Sequence, residues 1–213
     1  MNNRKTLVAA IAAIVLARAA FAAEKHYNIG DIGPGGGYVF YYSEEGFPVY
    51  ESDSASPVIC HYLECSQIGL EGISWCPCTH DGYGASDSEF KKLCNINTTD
   101  GVGAGKLNTA HIVKFAHRKS LTPANCAAYA CLRYFTEATK EGEWYLPSEE
   151  ELDLIYKNLV KSEKISNGTQ WSSVHRDRYC AYWHTFSSWS ENPELIRYDT
   201  KYERHCVRPV RAF

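Results

Sequence analysis

A glycine-rich turn followed by aromatic and β-branched residues begins the folded part of the chain: YNIGDIGPGGGYVFYY, residues 27–42. Tyr38–Tyr42 predict a β-strand, because aromatic and β-branched side chains favour a pleated surface. The preceding Gly33–Gly37 predict a turn or a close backbone approach. Since this glycine run leads into a strand, it lacks the helix N-terminus that would bind a phosphate. Val49 and Tyr50 are expected to continue a hairpin with this strand, and residues 52–100 to be rich in loops.

Helical patterns follow in the middle of the chain. Asn108 is a predicted N-cap for a helix whose apolar residues lie between positions 110 and 116. Thr122-Pro123 predict the start of a second helix, with the proline in the first helical position. Trp144–Pro147 predict a short buried extended segment. Ser148 with Glu151 three residues later is the pattern of a capping box, which opens a third helix.

The last 47 residues have a different composition from the rest. They contain six of the ten arginines and nine aromatic residues. Strand-like residues alternate with polar ones, which predicts a meander of strands that ends in a closing strand over Cys206–Phe213. Val207 and Val210 are expected to face different sides of that strand. Strands at both ends with helices between them predict an α+β domain.

The N-terminus predicts where the protein is located. Arg4 and Lys5 precede an apolar stretch from Leu7 to Ala17, and small residues follow at the positions that determine cleavage. This is the layout of a signal peptide over residues 1–22, cleaved after Ala22. The mature chain, residues 23–213, is therefore expected to be a single domain without a transmembrane segment. It is expected to be secreted, periplasmic or exposed on the cell surface.

All nine cysteines lie in the mature chain. In an oxidising compartment such a density predicts disulfides, and the odd number leaves at least one thiol unpaired or intermolecular. The alternative is a zinc site at Cys76-Pro-Cys78 with His80. Its spacing is poor for zinc, because the paired C-x-x-C is missing. The spacing of the cysteines does not determine how they pair.

The charge balance bears on the possible partners. The full chain carries a net charge of −3. Removal of Arg4, Lys5 and Arg18 leaves 19 basic against 25 acidic residues, a net charge of −6. A net-acidic body argues against a nucleic-acid-binding protein, whose affinity comes from neutralising phosphates.

Four ordered blocks carry a family resemblance. They are Tyr27–Tyr41, Trp144–Leu152, Trp171-Ser172-Ser173 and Val207–Phe213. Together they resemble secreted bacterial domains of unknown function related to the C-terminal domain of collagen-like adhesins, with spirochaete-type paralogues especially similar. The resemblance implies a C-type-lectin-like fold, akin to that of formylglycine-generating enzymes. Such a fold has a small antiparallel sheet, two to three flanking helices and long disulfide-stapled loops. It also implies surface binding or adhesion, with a glycan ligand.

The motifs for catalysis are absent from the sequence. Gly101–Lys106 suggest a phosphate loop, but Leu107 occupies the position where that loop needs serine or threonine. There is no Gly-x-Ser-x-Gly and no His-Glu-x-x-His. The acids Glu149–Glu151 are explained by a helix start, where negative charge is favourable. We therefore expect a non-catalytic protein without a cofactor or a bound metal. The alternatives are a cysteine-dependent modifying enzyme on a formylglycine-generating-like fold and a self-assembling envelope protein.

The predicted ligand-binding residues are the aromatic, basic and histidine side chains of the C-terminal region. Aromatic rings stack on sugars or apolar groups, and arginine binds sulfate or carboxylate through paired donors. The ligand is expected to be an anionic extracellular glycan or a protein. Trp171 is predicted to be core, Trp183 is left open, and Arg208 and Arg211 are predicted to form structural ion pairs. The site comprises His175, Arg176, Arg178, Tyr179, Trp183, His184, Trp189, Arg197, Tyr198, Tyr202 and Arg204.

Overall fold

In its described residues, the protein forms two antiparallel-rich sheets and three α-helices, a mixed α+β architecture as the sequence predicts. The computed structural model describes residues 25–76, 96–118, 126–166, 168–177, 179–187 and 197–213. The predicted signal peptide lies outside these residues. In the described part of the chain, no helix has the length and apolar character needed to cross a membrane.

The first sheet has three antiparallel strands. β1 covers Tyr38–Val49, β2 covers Val58–Cys65, and β8, the last strand of the chain, covers Val210–Ala212. Their order is β1-β2-β8. The predicted strand at Tyr38–Tyr42 is confirmed, but the predicted hairpin partner is wrong. Val49 belongs to β1 itself and pairs with Val58, after a register shift between Tyr42 and Phe47. The partner strand lies in the region expected to be loop-rich.

The second sheet has five strands in the order β3-β7-β4-β5-β6. The antiparallel pairs β4–β5 and β5–β6 form the predicted meander, while β7 pairs with β4 in parallel and with β3 antiparallel. The strands are β3 Leu70–Ser74, β4 Gly168–His175, β5 Cys180–Phe186, β6 Arg197–Thr200 and β7 Arg204–Val207.

The closing segment is divided between the two sheets. The prediction of one continuous strand is wrong, because β7 ends at Val207 in the second sheet and β8 begins at Val210 in the first. Val207 pairs with Leu70, and Val210 pairs with Cys65. The two valines enter different apolar cores, so the segment joins the sheets covalently.

Two of the helices differ from their predicted starts. α1 covers Ala104–Arg118 and begins four residues before the predicted N-cap. Asn108 therefore lies inside this helix, where its buried amide donates to the Thr99 carbonyl (2.7 Å) and to Ser173 Oγ (2.9 Å). α2 covers Ala127–Arg133, and its predicted start at Thr122-Pro123 lies outside the described residues.

The third helix follows the predicted pattern. α3 covers Glu149–Ile155 and continues into a π-helical turn over Tyr156–Val160. The capping box is confirmed: the Ser148 hydroxyl accepts from the Glu151 amide, and the Glu151 carboxylate accepts from the Ser148 amide. Tyr145 in the preceding extended segment forms an isolated bridge with Val210.

Two apolar cores fill the space between the sheets and helices. One packs α1 and α2 against the second sheet around Trp75, Ile112 and Trp171. The other packs α3 and its π-helical turn against the first sheet around Phe40, Leu63 and Leu152. Trp171 is fully buried, as predicted.

A buried carboxylate explains the glycine run at positions 33–37. Glu64 on β2 is fully buried and accepts hydrogen bonds from the amides of Gly35 (2.9 Å) and Gly37 (3.0 Å). Arg211 donates to the same carboxylate at 2.7 Å and to Glu143 at 3.1 Å. A Cβ at position 37 would lie 2.4 Å from the Cys65 carbonyl oxygen, so the turn requires glycine. We call Gly35, Gly37, Glu64, Glu143 and Arg211 the glycine clasp.

The two predicted structural arginines differ. Arg211 forms the ion pairs of the glycine clasp, as predicted. The prediction is wrong for Arg208, which is buried and donates to the carbonyl oxygens of Ser66 (2.8 Å) and Gln67 (3.2 Å). In the described residues no carboxylate lies within 4 Å of its guanidinium group.

Disulfide stapling is not shown in the described residues, where no pair of cysteine sulfurs lies at bonding distance. Cys60, Cys65 and Cys131 are buried, while Cys180 and Cys206 are partly exposed. Cys78, Cys94 and His80 lie outside the described residues, so the zinc alternative involves atoms whose positions are not described.

Aromatic rings cross the first sheet from strand to strand. Tyr42 on β1 lies 4.7 Å from Tyr62 on β2, and Tyr62 stacks on Phe213 at 5.2 Å. Tyr27 packs edge-on against Tyr62 at 5.7 Å and Phe213 at 5.4 Å. The first described residues and the last residue of the chain therefore meet in one aromatic cluster.

Candidate ligand-binding surface

The second sheet and its turns carry the described predicted residues, on both faces of the sheet. We call these residues the terminal surface. Arg178 and Trp189 lie outside the described residues and are not part of this definition. The members lie at the end of β4, on β5, β6 and β7, and in the turns between them: His175, Arg176, Tyr179, Trp183, His184, Arg197, Tyr198, Tyr202 and Arg204.

Strand pairing divides the terminal surface between the two faces of the sheet. Trp183 pairs with Arg197, and Tyr182 pairs with Tyr198. Since neighbouring side chains point to opposite faces, Trp183 and Arg197 share one face and Tyr198 lies on the other. The Arg197 guanidinium carbon lies 5.6 Å from the Trp183 ring centroid. The Arg176 guanidinium carbon lies 3.5 Å from the Tyr198 ring centroid.

Three exposed arginines of the terminal surface have no carboxylate partner in the described chain. Arg176, Arg197 and Arg204 make no ion pair within 4 Å there. By contrast, Arg133 on α2 pairs with Glu141 at 3.2 Å. The three guanidinium groups therefore keep their donors available to an external anion.

Exposed tyrosines lie next to these arginines. Tyr179, Tyr198 and Tyr202 are 46%, 50% and 50% exposed. A large ring with a hydroxyl tip offers contact area at a low entropic cost, which is why binding surfaces contain many tyrosines. The terminal surface thus combines fixed positive charge with exposed aromatic area.

His175 is one of the partly buried members of the terminal surface. Its imidazole is partly buried, with Nδ1 3.1 Å from the Asp177 carbonyl oxygen and 3.4 Å from Lys201 Nζ. The Lys201 ammonium group lies 4.7 Å from the ring centroid of the buried Trp75. These contacts give His175 a supporting position beneath the surface.

A cleft of about 320 Å³ borders the terminal surface at β5. His184 and Trp183 of the predicted set line it, together with acidic residues of α3 and the loop before α1. The sequence reasoning gave those acids only a helix-capping role. Strand pairing and helix docking bring them together with β5, and no local pattern shows this. Among the described residues, the lining comprises Asp100, Glu149, Glu150, Asp153, Lys157, Trp183 and His184.

The electrostatics of this cleft are opposite to those of the arginines. Lys157 forms an ion pair with Asp153 at 2.6 Å, and the described part of the lining holds no further cation for Asp100, Glu149 and Glu150. Burial and the neighbouring Asp100 raise the pKa of Glu149 to about 7. Burial also lowers the pKa of His184, so its imidazole is neutral at pH 7. The cleft therefore favours neutral or cationic groups, and anions are favoured at the arginines.

Comparison with known proteins does not identify a function for this chain. No family model and no curated protein matches the chain. The resemblance drawn from the four sequence blocks remains an expectation, and any function must be argued from the terminal surface and its cleft.

Proposed function

We propose that this protein is a secreted or surface-exposed, non-catalytic binding protein that recognises an anionic extracellular glycan through the terminal surface. The observation that carries the proposal is the set of three exposed guanidinium groups without ion-pair partners among the described residues, next to exposed tyrosine rings. Sulfate and carboxylate groups match the paired donors of arginine, and the tyrosines supply stacking surface for sugar rings.

The acidic cleft restricts the ligands that fit. A densely anionic chain such as heparin is repelled at Asp100 and Glu150 and would bind at the arginines alone, whereas a glycan with separated anionic groups can also place neutral hydroxyls in the cleft. The same segregation of charge also suits a protein ligand that carries a basic segment next to an acidic one. This is the second candidate, and it is favoured by the cleft alone.

The described thiols support a non-catalytic role over the cysteine-enzyme alternative. A nucleophilic cysteine needs a lowered pKa. Burial instead raises the pKa of Cys65 to about 12 and that of Cys131 well above its usual value. Burial also raises the pKa of the Cys180 and Cys206 thiols, which lie nearer to the terminal surface.

We extend the proposal to a C-type-lectin-like fold with disulfide-stapled loops. The pairing of the last strand, β8, with β2 near the start of the chain is consistent with that fold. We propose Cys76–Cys126 as one bridge, because the Ala127 amide donates to the Trp75 carbonyl at 3.2 Å and both cysteines, next to these residues, are fully buried. Their sulfurs do not lie at bonding distance in the described structure, so the bridge requires a local rearrangement. Peptide mapping of the non-reduced mature protein by mass spectrometry tests this pair.

Heparin, a sulfated glycan, is a direct probe of the proposed function. Isothermal titration calorimetry should detect binding that weakens between 50 and 300 mM salt, because exposed charges are screened. The double variant Arg176→Ala/Arg197→Ala should lose affinity at least tenfold. Arg133→Ala is the matched control, since it removes an exposed arginine that is already paired with Glu141, and it should bind like the wild type.

Two results would overturn the proposed function. One is wild-type protein that binds neither heparin nor any ligand in an array of acidic glycans. The other is an equal loss of affinity in the control and in the double variant. A blank array together with capture of a defined basic–acidic peptide would favour the second candidate.

A further inference from the structure

His205, on β7, was not selected by the sequence analysis but lies within the terminal surface. Its imidazole is held on both nitrogens. Nδ1 lies 2.8 Å from Thr169 Oγ1 on β4, and Nε2 lies 3.4 Å from Asp199 Oδ2 on β6. Its side chain is 10% exposed, and that of Asp199 is 40% exposed. Partners on two different strands fix the plane of this ring.

The His205 ring in turn contacts two tryptophans. It stacks on Trp183 with centroids 4.9 Å apart and an interplanar angle of 21°. It meets the buried Trp171 edge-on, at 4.3 Å and 83°. Trp171 and Trp183 are cross-strand partners on β4 and β5. His205 therefore fills the space beneath Trp183, between that ring and the core.

In the described part of the chain, no hydrogen bond holds the Trp183 indole. Its Nε1–H is shielded from solvent and has no hydrogen-bond partner in the described part of the chain. By contrast, the Nε1–H of Trp171 donates to the Ile73 carbonyl at 2.9 Å, and that of Trp75 donates to the Ser172 carbonyl at 2.7 Å. The orientation of Trp183 is therefore set by ring packing, to which His205 and Arg197 contribute.

We propose that His205 is a positioning residue of the ligand-binding surface. It holds the Trp183 indole in place and, through it, directs the Arg197 guanidinium group toward an anionic group of the ligand. Thr169 and Asp199 fix the imidazole, the imidazole supports the indole, and the indole supports the guanidinium. An arginine that lies over a ring keeps its in-plane N–H donors for a sulfate or carboxylate. This inference rests on the proposed function for its ligand but not for its geometry.

The charged groups around His205 give the arrangement a pH signature. Asp199 on β6 and Glu203 in the turn before β7 favour the protonated imidazole, and burial opposes it, with the net effect that the pKa of His205 is lowered. From β4 and β5 the ring meets Thr169, Trp171 and Trp183, which carry no charge at these pH values. Arg197 of β6, which lies over Trp183, is a further charged group nearby in the described chain. The ring is therefore neutral at pH 7 and becomes charged against Trp183 on acidification.

The indole signal of Trp183 in ¹H–¹⁵N NMR spectra tests the geometry without any ligand. We expect it to shift with a midpoint below pH 6.5 in the wild type, and this titration should disappear in His205→Phe, which keeps the ring but not the charge. His205→Gln, which loses the ring, should move the signal at all pH values. His111→Gln is the matched control, because it removes another histidine that is paired with an aspartate, Asp53, at 2.9 Å.

Heparin affinity, measured on the same variants, tests the role in binding. His205→Gln should weaken binding about five- to tenfold, and Asp199→Asn, at a partly exposed position that leaves the packing intact, about two- to threefold. His111→Gln should have no effect. A Trp183 signal that is unchanged in His205→Gln would overturn the positioning role, and so would a shifted signal with wild-type affinity. If the wild type binds neither heparin nor any acidic glycan of the array, the proposed function fails, and the NMR signal still decides whether His205 positions Trp183.

Discussion

Arginine has opposite roles in the glycine clasp and in the terminal surface. In the clasp, Arg211 donates to the buried Glu64 at 2.7 Å, and that carboxylate also receives two backbone amides. In the terminal surface, Arg176, Arg197 and Arg204 are exposed and form no ion pair in the described chain. The surroundings, and not the residue type, thus decide whether an arginine stabilises the fold or is available to bind. The clasp should respond to mutation by unfolding, and the terminal surface by losing its ligand.

The largest expected effect is at the centre of the clasp. Glu64→Gln keeps the size of the side chain but leaves Arg211 without its buried charge partner. Because breaking a buried ion pair leaves the remaining charge without a partner, the free energy of unfolding should fall by about 3 kcal/mol. Urea denaturation of the mature protein measures this change.

The control for this change is the other carboxylate of the same arginine. Glu143 is partly exposed, so Glu143→Gln should cost about 0–1 kcal/mol. Equal losses in the two variants would remove the distinction between buried and exposed partners on which the comparison depends.

The buried carboxylate of Glu151 sharpens the comparison, because it forms no ion pair with an arginine in the described chain. Glu151 accepts from the amides of Ser148 (2.8 Å) and Gly103 (2.9 Å), and burial raises its pKa from 4.5 to about 7. The folded state therefore binds this proton more tightly than the unfolded state. The stability that Glu151 contributes is complete below pH 4.5 and is lost as the pH rises through 7, a change on the order of 3 kcal/mol.

Glu151→Gln should flatten this dependence, since its side chain does not titrate. Urea denaturation at pH 5 and pH 8 would show a smaller fall in unfolding free energy in the variant than in the wild type. Glu149→Gln, at a half-buried position in the cleft, should flatten it less. A wild-type slope in Glu151→Gln would contradict the prediction.

The smallest effect on stability is expected in the terminal surface. Arg204→Ala should change the free energy of unfolding by less than about 0.5 kcal/mol, because it breaks no ion pair in the described chain. Arg176→Ala also loses the contact with Tyr198 and should cost about 0.5 kcal/mol. Thermal denaturation of the two variants tests this. A loss above about 2 kcal/mol would show that these arginines are structural after all.

Local patterns in the sequence predicted the elements whose contacts are local. The strand at Tyr38–Tyr42 and the capping box of Ser148 and Glu151 depend on residues within a few positions of one another. β2 was missed because Val58–Cys65 alternate poorly. Besides its neighbour β1, it pairs with β8, which lies almost 150 residues further on. The closing segment was predicted as one strand because nothing local indicates that its two halves join different sheets.

The terminal surface was predicted by composition alone, which cannot assign faces. Tyr198 and Arg197 are neighbours in the chain, but they lie on opposite faces because of their register with β5. His205 was missed for the same reason, since its contacts with Thr169, Trp183 and Asp199 join four strands. The acidic cleft required the docking of α3 against β5.

The aromatic cluster of the first sheet also makes a circular permutation of the chain feasible. The rings of Tyr27 and Phe213 lie 5.4 Å apart, so the first and last parts of the described chain are neighbours. A short flexible peptide could join residue 213 to residue 27, and a circularly permuted protein could then keep both sheets. An immobilisation tag at either position would leave the molecule at the same place on the first sheet, and the second sheet would present its arginines in the same orientation in both cases.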